Sequence, residues 1–187
     1  FMNTRHFASF VLVFAIICLA IPQLSIAQVP FDRGHYEIKH KKFVLKNGLT
    51  LIVHEDKSNP IVAVNMWYHV GSRNEKRGKT GFAHLFEHFF FNGSENHPFG
   101  FREAMDDLGA NNRNGTTNGD RTNFFEDVPV SALEKTLFLE ADRMGFLGNY
   151  ISAEMLEREK GVVKNEKRQG ENRPYGTVFN EVFGKVY

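Results

Sequence analysis

His84-Leu85-Phe86-Glu87-His88 is the stretch from which the rest of this chain can be read. On an α-helix, at ~100° per residue, the two histidines lie about 40° apart around the axis, and Glu87 lies about 60° from His84 on the other side. All three side chains then point into one narrow sector. With Phe82 to Phe91 helical, Phe82, Ala83, Leu85, Phe86, Phe89 and Phe90 surround that sector with apolar groups, so the pattern predicts a buried helix. A polar triplet walled by phenylalanines needs a partner, and a divalent zinc ion would satisfy it. The motif is short enough to arise by accident, so a second and independent feature has to support it.

That feature lies downstream. Ser152 caps a predicted helix running to about Arg168, with an apolar stripe of Met155, Val162 and Val163. Glu159 and Glu166 fall on the same stripe, whereas Glu157, Arg158, Lys160, Lys164, Lys167 and Arg168 occupy the outward face. A carboxylate on a buried stripe is costly unless it meets a cation, either a base such as Arg102 or Arg143 or a metal. The histidine helix lacks a carboxylate ligand and the glutamate helix lacks a cation, so each accounts for the other. A catalytic zinc site uses three protein ligands and keeps one position for water. His84, His88 and Glu166 would supply the three, with Glu87 as general base on the water. Glu159 would accept the N–H of a ligand imidazole and fix its tautomer. The chemistry this describes is metal-assisted hydrolysis.

Length and composition set the frame. The chain has 187 residues, 42% hydrophobic and 24% charged, enough for one core, so a single domain over 42–187 is expected. The net charge of +1 argues against a nucleic-acid partner. Arg5 and His6, the apolar run Phe7 to Ile21 and the small residues of Ser25-Ile26-Ala27 read as a secretory signal over 1–27. Export to a periplasm or the exterior follows. The run is shorter than the ~20 residues of a span and is followed by Pro22, so no permanent membrane anchor is expected. Cys18 is the only cysteine and lies inside that signal. Any zinc site in the mature chain must therefore use His, Asp and Glu.

Residues 28–41 form a lead-in arm. Phe43 to Leu45 and Leu49 to His54 flank Asn47-Gly48, a strong hairpin signal. Ile61 to Val70 alternates, with Val62, Val64, Met66, Tyr68 and Val70 on one face, and is expected beside the hairpin. Gly71 to Gly81 is a polar loop leading into the motif helix, and Asn92-Gly93 ends that helix. Phe99 to Leu108 is a helix with Phe101, Met105 and Leu108 inward and Gly109 as its stop. Asn111 to Asn123 reads as too polar and Gly-rich for a core element, with a strand from Thr122 to Val128. Ser131-Ala132-Leu133-Glu134 is a capping box opening a helix to about Phe146, with Leu133, Leu137, Ala141 and Met144 as its stripe. After Pro174 and Gly176 comes a Val-Phe-rich run without an obvious terminal element. The class is α+β: an antiparallel or mixed sheet covered by helices in two layers.

At these residues the chain resembles the pitrilysin or insulinase family, the inverzincins, which includes the processing peptidases. The similarity runs over about Phe43 to Tyr187. It includes the Leu-x-Asn-Gly-Leu hairpin, Gly71-Ser72-Arg73 with Glu75, Phe91-Asn92-Gly93, Asn114-Gly115-Thr116 through Asp120-x-Thr122, Leu139-Glu140-Ala141-Asp142-Arg143-Met144, and Glu159-x6-Glu166. The resemblance implies a zinc endopeptidase that holds a short or unfolded peptide as an added β-strand. It also implies that Asn114, Gly115 and Thr116 pair with that strand. Gly115 stands where many members have alanine, which loosens the expected edge. Family members pair this domain with a further homologous domain or subunit, from which an Arg-Tyr pair helps hold the substrate carbonyl. The chain is thus expected to be the N-terminal part of a larger protease. A rival reading is a non-catalytic peptide-binding or assembly subunit, which the family also contains. Another is a closed structural zinc site, for which His54, His69 or His97 would be the fourth ligand.

Overall fold

The computed structural model describes residues 37–186. The predicted signal over 1–27 and most of the arm over 28–41 lie outside these residues. The chain divides into two units, Phe1–Asp56 and Lys57–Tyr187, taken here in turn.

In the first, β1 (Lys41–Val44) and β2 (Thr50–Val53) pair antiparallel, with Phe43 opposite Leu51. The connection turns at Gly48, whose φ of 88° suits a residue without a Cβ. The Leu45 N–H donates to the Leu49 carbonyl at 2.9 Å and closes the loop. This is the hairpin expected from Asn47-Gly48.

The second unit holds a three-stranded antiparallel sheet of β3 (Ile61–Tyr68), β4 (Asn111–Thr117) and β5 (Thr122–Pro129), in the order β3-β5-β4. Here β3 pairs with β5 along its whole length. The register supplies the reason. Val62, Val64, Met66 and Tyr68 stand opposite Val128, Glu126, Phe124 and Thr122, so the inward faces of both strands coincide. The alternation in β3 itself holds, since those four residues are half-buried and Ile61 and Trp67 are exposed.

β4 departs from expectation. The Asn- and Gly-rich segment read as irregular is an edge strand, pairing Gly115 with Phe124 and Thr116 with Asn123, after a bulge between Asn111 and Asn114. Asn112 takes a φ of 49° in that bulge, a conformation asparagine tolerates. An edge strand needs backbone partners more than an apolar run. Its side chains find polar partners instead: the Thr116 hydroxyl donates to Asn123 Oδ1 at 2.6 Å, and Asn123 donates to Asn65 Oδ1 on β3 at 3.1 Å. The Arg121 Nη1 donates to the Thr116 carbonyl at 3.1 Å and bonds Asn123, tying the hairpin across its own strands.

The helices are α1 (Phe82–Phe89), α2 (Phe101–Asp107), α3 (Leu133–Tyr150), α4 (Ala153–Glu171) and α5 (Val178–Val186). Phe101 and Met105 of α2 are buried, and Gly109, at φ 72°, ends it as expected. Helix α3 differs in two ways. The chain leaves β5 through Pro129 and a single 3₁₀ turn, Val130–Ala132, so Ser131 lies within that turn and caps nothing. The inward face carries Thr136, Leu139, Glu140, Arg143 and Leu147, while Leu137 of the predicted stripe is exposed. An ion pair between Glu140 and Arg143 on the inward face makes this tolerable. In α4 the Ser152 hydroxyl accepts the Met155 N–H at 3.1 Å, as predicted, but Val162 is exposed and Met155, Leu156, Glu159 and Val163 turn inward. The tail, expected to lack a terminal element, forms α5, with Phe179 and Phe183 stacked one turn apart at 4.4 Å.

Two apolar clusters fix these pieces. Phe101, Met105, Ala110, Val128, Ala132 and Leu139 join α2, β5 and α3. Leu85, Phe89 and Leu147, packed with Met155, Leu156 and Val163, join α1 to α3 and α4. The second cluster sets the distance between the histidine helix and the glutamate helix.

Candidate metal centre

Helix α1 begins at Gly81, whose φ of 101° is left-handed. The two carboxylate oxygens of Glu75 accept the N–H groups of Gly81 at 2.9 Å and Ala83 at 2.8 Å, placing an anion at the positive end of the helix. The loop carrying Glu75 is docked in turn. Ser72 and Arg73 donate their N–H groups to the carbonyls of Asn118 and Gly119, each at 3.0 Å, beyond the end of β4. Gly71 lies so close to those same carbonyls that any Cβ would collide with backbone. That close approach accounts for the glycine.

From α1 the histidines face α4. His84 Nε2 and His88 Nε2 are 3.3 Å apart. Glu166 Oε2 lies 3.5 Å from the first and 3.4 Å from the second. One ligand-type atom from each of the three residues falls within 4.8 Å of the others, and among the described residues no other His, Cys, Asp or Glu cluster of this kind occurs. Glu159 is buried, with Oε2 at 3.5 Å from His88 Nδ1, on the side of the ring away from Glu166. The donor set fits a zinc ion: two nitrogens and one oxygen converge, and a carboxylate waits on the remaining nitrogen of one imidazole. Glu159 also has a base. Arg158, assigned to the solvated face by the sequence pattern, donates to Glu159 Oε1 at 3.0 Å and to Asn92 Oδ1 at 2.6 Å. Arg102 instead stacks on Phe91 at 4.2 Å, and Arg143 pairs with Glu140.

Glu87 leaves α1 toward the sheet, where the Thr117 hydroxyl of β4 donates to its Oε2 at 2.5 Å. Gly115 is buried beneath it, while Asn114 is exposed and Thr116 half-buried on the strand's other face. Neither Glu75 nor Thr117 announces its role by spacing, because both act through backbone brought near by folding. A cleft of about 500 Å³ runs between α1 and β4, lined by His84, Glu87, Thr116 and Thr117. Phe82 and Phe86, expected to be buried, are about half exposed. They line an adjoining apolar cavity of about 370 Å³ with Tyr68, Phe90 and Phe124. Of the spare histidines, His54 bonds the Lys39 carbonyl, His69 Nε2 lies 2.8 Å from Arg73 Nη2, and His97 stacks edge-on against Phe99 at 5.6 Å. None joins the cluster.

The family profile described as Insulinase (Peptidase family M16) matches residues 50–186. The chain belongs to that family. Among the relatives of this insulinase-family domain is the zinc protease PqqE of Helicobacter pylori, 32% identical over 153 residues, covering 81% of this chain and 34% of that protein. The human cytochrome b-c1 complex subunit 1, mitochondrial, is 28% identical and covers 77% of this chain and 29% of its own. A crystal structure of a protease from Helicobacter pylori superposes with a TM-score of 0.70 at 33% identity, over 76% of this chain and 34% of that one. This insulinase-family chain thus spans about a third of the length of the relatives it matches. Its fold is the mixed α+β arrangement of those peptidase domains.

Beneath the site the domain holds a second polar group that the motif reading did not anticipate. Glu126 of β5 and Glu140 and Arg143 of α3 are almost fully buried. The Arg143 Nε donates to Glu140 Oε2 at 3.0 Å, its Nη1 donates to the Phe90 carbonyl at 3.3 Å, and its guanidinium lies 3.6 Å from the centre of the Phe101 ring. The guanidinium pairs with Glu140, and Glu126 lies beside that carboxylate. Burial first, and the negative Glu140 second, push Glu126 up to about 8, against the opposing pull of Arg143. Burial and Glu140 likewise push the Tyr68 hydroxyl up to about 12.

Proposed function

We propose that this chain is the zinc-binding domain of an exported metalloendopeptidase that cuts short or unfolded polypeptides. The observation that carries the reading is the convergence of His84, His88 and Glu166, with Glu87 one residue from a histidine and beside the free edge of β4. Bound zinc supplies Lewis acidity, acidifying a water and polarising the substrate carbonyl. The residues do the rest. Glu87 takes a proton from the attacking water as its oxygen bonds to the carbonyl carbon, then returns that proton to the amine nitrogen as the C–N bond breaks. Glu159 holds His88 by Nδ1, so that Nε2 faces the metal. The side of β4 away from β5 has no hydrogen-bonded neighbour among the described residues. An extended peptide adds there as a further strand, along Asn114, Gly115 and Thr116, and runs through the cleft past His84 and Glu87. A second homologous domain or subunit closes the substrate from the other side. Export rests on the apolar segment near the N-terminus; no helix of the described residues is long and apolar enough to cross a membrane.

The test has two readouts. Zinc stoichiometry after loading is expected to be one per domain in the parent and close to zero in Glu166→Ala; a metal-free parent removes the site. Peptide cleavage by the full-length protein is expected to fall by about a thousandfold or more in Glu87→Gln with zinc retained. The family likeness to a cytochrome b-c1 subunit keeps a non-catalytic assembly subunit as the rival. That rival predicts no difference between parent and Glu87→Gln.

A further inference from the structure

The edge strand has a second task. Two residues of β4, both on the face turned to α1, touch Glu87. The Thr117 Oγ1 donates to Glu87 Oε2 at 2.5 Å and lies 3.3 Å from the Thr122 hydroxyl, which itself donates to the Val70 carbonyl at 3.0 Å. With its own proton on Val70, Thr122 offers Thr117 only a lone pair, and the Glu87 carboxylate is the nearer and stronger acceptor for the Thr117 proton. Gly115 lies beneath the same side chain. A Cβ built there would stand 3.0 Å from Glu87 Cγ and 3.1 Å from Oε1, tighter than ordinary contact. Glu87 is thus packed from below and hydrogen-bonded from the side by an edge strand whose outer side has no hydrogen-bonded neighbour among the described residues.

We infer that Thr117 is a positioning residue for Glu87: its hydroxyl holds one carboxylate oxygen against β4 and so leaves Oε1 as the oxygen that handles the proton. This rests on the reading of Glu87 as general base. A carboxylate on a flexible side chain has several rotamers, and one charge-assisted hydrogen bond from a rigid strand selects among them. The substrate edge on β4 and the base on α1 are then tied together directly, which fixes the distance between a peptide added to β4 and the oxygen that serves it.

Thr117→Val keeps the β-branched shape and removes the donor, and Thr117→Ser restores the donor. In the full-length zinc-loaded protein, Thr117→Val is expected to lower kcat about 10- to 100-fold, with KM within about twofold and zinc content unchanged, and Thr117→Ser is expected to recover most of the rate. A crystal structure of metal-free Thr117→Val should show the Glu87 carboxylate turned from its parental position. Parental kcat in Thr117→Val while Glu87→Gln is inactive overturns the inference and leaves the reading of Glu87 standing. Equal loss in Thr117→Val and Thr117→Ser overturns it too, since the hydroxyl would then be irrelevant. If Glu87→Gln is fully active, the reading of Glu87 fails, and an unmoved Glu87 in the Thr117→Val crystal removes the contact's positioning role as well.

Discussion

The domain places carboxylates on the inward faces of two helices, and it treats them in opposite ways. Glu140 of α3 pairs with the buried guanidinium of Arg143 on the same helix, and the group is closed by Glu126 of β5 beside Glu140 and by a wall of Phe101 and Phe124 rings. Glu159 and Glu166 of α4 face imidazoles instead. Only Glu159 has a base, Arg158, and Glu166 stays roughly half exposed. The contrast shows what an inward carboxylate signifies. Where the chain supplies the cation, the carboxylate is structural. Where it supplies only lone pairs, pointed at one place and reachable from solvent, the arrangement is one that a zinc ion would complete.

Three measurements would break or sharpen this contrast. The largest effect is expected from Arg143→Met. It strips Glu140 of its cation in an apolar interior and should cost about 3–5 kcal/mol of stability, read as a drop in thermal midpoint. A near-normal midpoint would mean that the pair is dispensable. Next comes Glu159→Ala. Removing the carboxylate behind His88 should weaken zinc binding about 10- to 100-fold in chelator competition while the fold is kept. An unchanged affinity would return Glu159 to the structural class, as merely the partner of Arg158.

The third measurement is a matter of pH. Glu126 is pushed up to about 8 in the folded chain, against an ordinary carboxylate value near 4.3 once unfolded. Between these values the folded state holds a proton that the unfolded state has released, so stability falls as pH rises through the window and levels off above it. The slope approaches about 1.4 kcal/mol per pH unit in mid-window. Glu126→Gln carries no such proton, and denaturant midpoints between pH 5 and 8 should lose that slope. An equal slope in parent and variant would place the titration elsewhere.

Much of the candidate site was legible because the signals involved are local. Four- and seven-residue spacings put His84, His88, Glu159 and Glu166 on definite helix faces, and Asn47-Gly48 specifies a turn from its own backbone needs. Where the reading failed, the reason was non-local. β4 looked irregular because its order comes from pairing with β5 and from Arg121 crossing to Thr116, neither visible in composition. The face of α3 was misassigned because an apolar stripe predicts burial only when no ion pair can go inside, and Glu140 with Arg143 can. Arg158 is exposed as its spacing predicts, and folding adds Glu159 and Asn92 as its partners.

By itself the sequence determined the donor set, the helices that carry it and the absence of thiol ligands in the chain after the predicted signal, all properties of residue type and spacing. Only the tertiary structure decided which donors meet. Leu85, Phe89 and Leu147 packing against α4 brings Glu166 to within 3.5 Å of both imidazoles, and the β3-β5-β4 order delivers Thr117 to Glu87. The physical reason is the range of each interaction. Helix periodicity acts over a few residues, whereas the position of Glu87 beside the edge of β4 depends on side-chain packing between elements far apart in the chain.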